Sequence, residues 1–206
     1  MKQQIYAMLE LQHAMNQKVH EDWQAQNFPW YRAIWVECAE LLDHQGWKWW
    51  KKQSPDHAQV ALELVDIWHF GLSMEMQAGG DLESLSDSIL AALQQPIAAE
   101  EFRRGVELFV VDVLTQHQFP TARFAGLMAS ANLSFERLYS MYIGKNMLNF
   151  FRQDNGYQLG TYQKNWQGRE DNEHLAEIVD SLDTGSANYK LDVYQALVQR
   201  YQQVLG

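Results

Sequence analysis

The chain has 206 residues, of which 47% are hydrophobic, so it is long enough to bury the core of one globular domain. Its net charge of −10 argues against a general nucleic-acid binder, because such proteins present a basic surface to phosphates. A single cysteine, Cys38, excludes an intramolecular disulfide, and no stretch reaches the roughly 18–20 apolar residues that span a bilayer, so we expect a cytoplasmic protein with no membrane partner.

Three helices are predicted in the first 80 residues. Apolar side chains recur at three- and four-residue steps over residues 2–20. The second helix is expected to begin near Phe28-Pro29 and to end around residues 43–46, because proline is tolerated in a first turn. Ser54-Pro55-Asp56 predicts the start of a third helix, with serine as its cap, that runs to about Ala78.

Two pairs of acidic residues lie on the second and third helices. Glu37 and Glu40 are three residues apart, as are Glu63 and Asp66, so the members of each pair point to similar sides of their helix. If the two helices are antiparallel, the four carboxylates converge, and ionised carboxylates in a small volume need cations. Oxygen ligands without cysteine favour Mg²⁺ over zinc. The alternative is that both pairs lie on solvated helix faces.

The connection between these helices contains three tryptophans in four residues, in the run WKWWKK at 47–52. Three such side chains cannot all face one core, so we expect at least one to lie against a planar ligand. Stacking of a base on an aromatic ring contributes about 1–3 kcal/mol. The alternative is that a tryptophan packs between the two helices.

The second half of the chain is also predicted to be helical. Helices are expected over residues 82–93 and 97–116, from Pro120, over residues 134–154, and over residues 172–182 and 187–205. Lys145, Asn149 and Arg152 share one face of the helix at 134–154. A cation, an amide and a guanidinium in that arrangement suit a phosphate chain and the polar edge of a sugar or base.

Several of these stretches together resemble the dimeric all-α dUTPase family, which belongs to the all-α NTP pyrophosphatase superfamily. The resemblance rests on ExxE at 37–40, WKWWKK at 47–52, ELVDIWHF at 63–70, GKNMLNFFRQDNGYQLGTYQKNW at 144–166 and EDN at 170–172. The acidic pairs alone would point only to the superfamily. The tryptophan-rich run and the block after residue 144 are more specific to the dUTPase branch.

The resemblance implies an all-α helical bundle, a single domain over residues 1–206 with a smaller mobile helical subdomain at about 81–131, and a homodimer. It implies a dUTP diphosphatase that hydrolyses dUTP, and dUDP, to dUMP, with release of pyrophosphate or phosphate. Two or three Mg²⁺ ions, replaceable by Mn²⁺, would be held by Glu37, Glu40, Glu63 and Asp66, which would also be the catalytic residues. The implied substrate-binding residues are Gln12, Asn16, Trp47, Lys48, Trp49, Lys145, Asn149, Arg152, Tyr157 and Lys164.

Three other functions are consistent with parts of the sequence. One is a related pyrophosphatase acting on dCTP or a modified pyrimidine, because a few hydrogen bonds decide base choice. Another is a di-iron carboxylate protein that adds His44 and His69 to the four acids, although such proteins place histidine three residues after glutamate. The last is a helical interaction protein without catalysis, which would have no need of both the acids and the basic residues.

Overall fold

The computed structural model of the chain describes residues 1–186 and 188–205 and confirms the all-α fold. Within these residues the helices are α1 (Lys2–Val19), α2 (Trp30–Gln45), α3 (His57–Ala78), α4 (Leu82–Leu93), α5 (Phe102–Gln116), α6 (Thr121–Ser130), α7 (Phe135–Asp154), α8 (Asp171–Ser181) and α9 (Tyr189–Leu205). A single turn of 3₁₀ helix covers Trp23–Gln26, and two short strands, β1 (Asn165–Trp166) and β2 (Arg169–Glu170), form a hairpin. Ala187, the expected start of the last helix, lies outside the described residues.

The chain divides into two compact units, an N-terminal unit of residues 1–138 and a C-terminal unit of residues 139–206. None of the helices in the described ranges is long and apolar enough to cross a membrane. The predicted single domain and the mobile subdomain at 81–131 remain predictions.

Helices α2 and α3 run antiparallel in the N-terminal unit. At one end, Trp30 Nε1 donates a 2.8 Å hydrogen bond to Gln77 Oε1, which joins the start of α2 to the end of α3. At the other end, the backbone N–H of Asp56 donates to the carbonyl oxygen of His44 at 2.9 Å. This arrangement brings the acidic segment of α2 beside that of α3.

The cap of α3 is Asp56 and not the predicted Ser54. The Asp56 carboxylate accepts the backbone N–H of Gln59 at 3.1 Å, which satisfies one of the free amides of the first turn. The helix therefore begins at His57, and most side chains from Val60 onward are buried. Burial on nearly all sides makes α3 the central helix of its unit.

The core of the N-terminal unit is built around Trp68 of α3. Its ring stacks on Phe124 of α6, with centroids 5.1 Å apart, and meets Phe119 edge-on. A Cβ at Gly71, one turn further along α3, would lie 2.5 Å from the Phe119 ring, so only glycine allows this close approach. These contacts fix α3 against the α5–α6 segment.

The C-terminal unit contains most of α7, the hairpin, α8 and α9. Phe151 of α7 has edge-on contacts with the rings of Tyr162, Trp166, Tyr194 and Tyr201, which form its aromatic core. The hairpin turns at Gln167 and Gly168, with φ of 52° and 85°, and two positive φ values are the signature of a tight two-residue turn. This hairpin was not predicted from the sequence, because Gln-Gly is a weaker turn signal than Asn-Gly.

Candidate functional site

Three carboxylates come together where α2 faces α3. Oxygen atoms of Glu37, Glu63 and Asp66 all lie within 4.8 Å of one another. Glu63 is buried, with only 7% of its surface exposed, and the other two are partly buried. Such a group is costly to keep ionised without a cation, so its composition and spacing fit a divalent metal.

Glu40, the fourth predicted acid, is exposed and is not one of this group. The reason is helical geometry. Three residues advance an α-helix by about 300°, so Glu40 is rotated by about 60° from Glu37 around the axis of α2. On α2, whose outer side meets solvent, that rotation carries Glu40 away from α3. Glu63 and Asp66 have the same spacing, so the difference lies in the surroundings of the two helices, because α3 is enclosed on nearly all sides.

The three-acid group contains carboxylates only. His44 approaches it from α2, with Nε2 3.5 Å from Glu63 Oε1. Cys38 is buried beside Glu37 in sequence, and burial raises the pKa of its thiol, which disfavours the thiolate needed by a soft metal ligand or a nucleophile. An all-oxygen group suits Mg²⁺ or Mn²⁺.

Gln12 and Asn16 of α1 are both buried and belong to a polar network with α3. Gln12 Oε1 lies 2.7 Å from His69 Nδ1, and Gln12 Nε2 donates to Asn16 Oδ1 at 3.0 Å. Asn16 Nδ2 donates to Ser73 Oγ at 3.0 Å, and that hydroxyl donates to the His69 carbonyl at 3.0 Å. The network therefore sets the orientation of both amides.

The tryptophans of the α2–α3 connection are exposed. Trp49 is 89% exposed and Trp47 is 44% exposed, and both meet the ring of Trp50 edge-on. Trp47 Nε1 donates to Asp43 Oδ1 at 3.1 Å, and the ammonium of Lys48 pairs with the same carboxylate. Trp49 therefore does not pack between the helices and presents its ring to solvent.

In the C-terminal unit, Arg152 of α7 forms a two-point ion pair with Asp171, the first residue of α8. Arg152 Nε donates to Oδ2 at 2.8 Å and Nη2 donates to Oδ1 at 2.7 Å. Burial acts to raise the pKa of Asp171, but the bonds from Arg152 outweigh it and hold that pKa below its ordinary value. Tyr162 donates a further 2.8 Å hydrogen bond to Oδ2.

The other basic residues of this unit lie around that pair. Lys145 Nζ donates to Asn172 Oδ1 at 3.0 Å, and Arg152 Nη2 is 3.3 Å from the same oxygen, so the two cations share a face of α7 as predicted. Arg152 Nη1 donates to Asn149 Oδ1 at 3.3 Å. The Arg152 guanidinium lies over the Tyr157 ring, with its Cζ atom 5.8 Å from the centroid of the ring.

Lys164 lies in the segment between α7 and β1. Its ammonium pairs with Glu170 at 3.0 Å, and the backbone N–H of Asp171 donates to the Lys164 carbonyl at 2.9 Å. Both partners are close to the start of α8, which has a complete capping box between Glu170 and Glu173. The segment that carries Lys164 is thereby tied to the same helix terminus as Arg152.

A comparison with protein families finds a match to the dUTPase family over residues 4–157, well over half of the chain. The chain belongs to the dUTPase family. The matched range includes the three-acid group, the tryptophan-rich connection and the α7 residues from Lys145 to Tyr157, whereas Lys164 lies outside it. The comparison with curated proteins finds no match. Membership of this dUTPase family confirms the predicted enzyme class, a dUTP diphosphatase.

Sequence reasoning did not assign several partners that the structure shows. Asp171 is the internal counter-ion of Arg152, and Tyr162 is its hydroxyl partner. The only signal for Asp171 was its place in the EDN block, since a residue's ion-pair partner 19 positions away has no local pattern. His69 and Ser73, which hold the α1 amides, recur at four-residue spacing on α3 but resemble ordinary core residues.

Proposed function

We propose that this enzyme of the dUTPase family hydrolyses dUTP to dUMP and pyrophosphate in a Mg²⁺-dependent reaction, and that it also accepts dUDP, with release of phosphate. The observation that carries the proposal is the group formed by Glu37, Glu63 and Asp66, in a chain that belongs to the dUTPase family. Three carboxylates within 4.8 Å provide the negative charge that divalent cations require.

Glu37, Glu63 and Asp66 would hold the metal, with Glu40 as an outer ligand, and Mn²⁺ could replace Mg²⁺ in this all-oxygen set. When bound, two or three such ions would neutralise phosphate charge and lower the pKa of a water molecule. Glu37 is the carboxylate that we assign to orient that water or accept its proton, because it is one of the three and is not fully buried. His44, at 3.5 Å, would orient the Glu63 carboxylate.

Two sets of residues would bind the nucleotide. Lys145, Arg152 and Lys164 would bind its phosphates, with Tyr157 beside the Arg152 guanidinium. Gln12, Asn16, Asn149 and the rings of Trp47 and Trp49 would recognise the base, and Lys48, which lies between these two tryptophans in the sequence, would bind a phosphate. Support for the first set is that Asp171 and Asn172 hold two of its cations at fixed positions.

The competing functions differ in how they fit the structure. A preference for dCTP or a modified pyrimidine would need only a different set of hydrogen bonds at the base, and the amides of Gln12 and Asn16 can supply either pattern. A di-iron site has less support, because the three-acid group contains no histidine and His69 Nδ1 contacts Gln12. An interaction protein without catalysis is inconsistent with membership of an enzyme family.

We also propose that the enzyme is a homodimer in the cytoplasm. Support for dimerisation is the exposure of two adjacent large apolar side chains on α2, Trp35 at 54% and Val36 at 52%. Large exposed aromatic and aliphatic side chains are typical of interfaces. Light scattering at micromolar concentration should give twice the monomer mass of 24.0 kDa, and a monomer would contradict the proposal.

The experiment that tests the function is hydrolysis of a panel of nucleotides by the full chain. dUTP, dUDP, dCTP, dTTP and UTP are each incubated with Mg²⁺, with Mn²⁺ or with EDTA, and the products are separated by anion exchange. We expect dUMP and pyrophosphate from dUTP, dUMP and phosphate from dUDP, and no turnover in EDTA. A higher kcat/KM for dCTP than for dUTP would favour the related pyrophosphatase instead.

A further inference from the structure

The N-terminal unit contains an open cavity at the end of α2. It has a volume of about 350 Å³, within the range of small-ligand sites, and is lined by residues 45–49, 51, 53 and 55 and by Arg103 of α5. Of the residues that line the cavity, only those of the α2–α3 connection were expected from the sequence to bind substrate. Arg103 comes from the stretch at 81–131, in which the sequence shows no chemical motif.

The charges lining this cavity are all positive. Lys48, Lys51 and Arg103 line it, and no carboxylate does so among the described residues. Trp47 and Trp49 supply its aromatic wall. Three cations in one cavity are unusual in a chain whose net charge is −10, and they favour an anionic ligand.

Arg103 is oriented by two partners of its own. Its Nε donates to Glu101 Oε1 at 2.7 Å, and its Nη1 donates to the carbonyl oxygen of Gly46, at the end of α2, at 3.3 Å. The bond to Gly46 aligns the guanidinium with the α2–α3 connection. A guanidinium held at Nε and Nη1 still has Nη2, which has no partner among the described residues, to offer to a phosphate oxygen.

The cavity lies at the C-terminal end of α2, next to a residue that contacts the three-acid group. Gln45, on its wall, directly follows His44, whose imidazole lies 3.5 Å from Glu63. The backbone of His44 also accepts the N–H of Asp56, at the end of the connection. His44 therefore links the wall of the cavity to the buried carboxylate of the three-acid group.

We propose that this cavity binds a polyphosphate chain and that Arg103 of α5 contacts it directly, together with Lys48 and Lys51. The inference rests on the proposed function and adds a phosphate-binding residue from outside the resembling motifs. Glu101 competes for Arg103 and Asp43 for Lys48, so each cation exchanges an exposed carboxylate for a phosphate oxygen. Exposed ion pairs are weak, and the exchange is correspondingly easy.

Hydrolysis by two neighbouring variants tests the proposal. Arg103→Ala should lower kcat/KM for dUTP by about ten- to a hundredfold, the effect of losing one charge-assisted bond. Arg104→Ala is the matched control, because Arg104 is the next residue of α5 and pairs with Glu107 away from the cavity. It should stay within about twofold of wild type, and Arg103→Lys should recover part of the loss.

A comparison of dUTP, which has three phosphates, with dUMP, which has one, separates two roles of Arg103. Arg103 either contacts the phosphates directly or only holds the backbone at Gly46 in place. Direct contact predicts that Arg103→Ala weakens dUTP far more than it weakens inhibition by dUMP. An equal loss for both nucleotides would show that Arg103 only positions the connection, and equal behaviour of the Arg103 and Arg104 variants would also overturn the proposal.

A binding measurement keeps this inference independent of turnover. Inorganic pyrophosphate is titrated into wild type and both alanine variants by calorimetry in EDTA, so that no metal contributes. We expect Arg103→Ala to raise Kd at least about tenfold and Arg104→Ala to leave it within about twofold. If dUTP is not hydrolysed but this difference is found, the proposed function fails and the cavity assignment stands. If pyrophosphate does not bind wild type, the assignment is wrong.

Discussion

Arg152 and Asp171 form a two-point pair, with Nε 2.8 Å from Oδ2 and Nη2 2.7 Å from Oδ1. Asp171 is fully buried and 9% of Arg152 is exposed. A buried carboxylate and guanidinium each require the other, because neither can regain its hydration in place. The pair thus fixes the guanidinium that we assign to the phosphates and joins α7 to the start of α8.

The pair makes stability depend on acid pH. The folded pKa of Asp171 is lowered, so its contribution to stability is complete above the unfolded pKa of about 3.9 and is lost as pH falls through the folded value. Asp171→Asn should cost about 3–5 kcal/mol at pH 7. Melting followed by circular dichroism from pH 7 to pH 3 should show the variant approaching wild type below about pH 4. Asp180→Asn, an exposed acid on α8, is the control, and a parallel loss there would contradict this role.

The acids of α2 and α3 should be required for turnover. Asp66→Asn removes a member of the three-acid group and should reduce kcat at saturating Mg²⁺ by more than about a hundredfold, because changes outside the first shell of a metal already cost 10–100-fold. Glu40→Gln should also abolish hydrolysis, because we assign Glu40 as an outer ligand of the metal. Glu10→Gln, an exposed acid on α1, should have no effect. Unchanged helical circular dichroism would confirm that folding is intact, and near-wild-type turnover of Asp66→Asn would rule out the metal site.

Divalent cations should stabilise the folded protein. A metal that binds only the native state at 100 times its Kd adds about 2.7 kcal/mol, so the melting temperature should rise with millimolar Mg²⁺. Glu63→Gln should remove this rise, because Glu63 is the buried member of the group. NaCl at equal ionic strength controls for simple screening of the acids. A rise of equal size with NaCl, or in the Glu63 variant, would show that no specific ion binds.

Glu75 near the end of α3 should destabilise the protein at neutral pH. Burial raises its pKa above the ordinary 4.5, against a smaller opposite effect of its hydrogen bond from Thr121. The raised folded pKa means that its stabilising effect is complete below the unfolded pKa and is lost as pH rises through the folded value. Glu75→Gln should therefore melt higher than wild type at pH 8, with a smaller difference at pH 4. A variant that melts lower at pH 8 would contradict this account.

Local patterns in the sequence predicted most of the helices. Apolar periodicity located α1 and α7, and proline and capping signals located α2 and α3. The start of α5 was predicted at Ile97 and lies at Phe102, because the Ile97 N–H bonds to the carbonyl of Ala122 and Glu101 caps the helix. A tertiary backbone bond of this kind has no signal in the sequence.

The candidate site was predictable only in part, because some of its contacts also depend on tertiary packing. Spacing placed Glu63 and Asp66 on one side of α3, and an antiparallel arrangement of α2 and α3 was expected to bring Glu37 beside them. Spacing could not show that Glu40 faces solvent, because this depends on which sides of α2 are covered by other helices. Likewise, Gln12 could be assigned to α1, whereas its contact with His69 depends on how α1 packs on α3.

Phosphate binding and base recognition should respond differently to mutation. Arg152→Ala removes a charge-assisted donor that is indifferent to the base, so kcat/KM should fall by a similar factor for every accepted nucleotide. The buried partner Asp171 is left without its counter-ion, and the melting temperature of the variant should be measured alongside. A change in the ratio between dUTP and dCTP would contradict the assignment of Arg152 to phosphates.

Base recognition should reside in Gln12, Asn149 and Trp49. Gln12→Ala removes an amide whose Oε1 lies 2.7 Å from His69 Nδ1, and a polar group of the base left without its hydrogen-bond partner costs about 1–3 kcal/mol. That energy corresponds to about one to two orders of magnitude, so each alanine variant should weaken dUTP most and flatten its preference over dCTP and dTTP. Trp50→Ala is the control for Trp49, since both rings are exposed but only Trp49 lines the cavity. The measurement is kcat/KM for the three nucleotides with each variant. If the three variants leave the ratios unchanged, or if Trp50→Ala alters them as much as Trp49→Ala, the base is recognised by other residues.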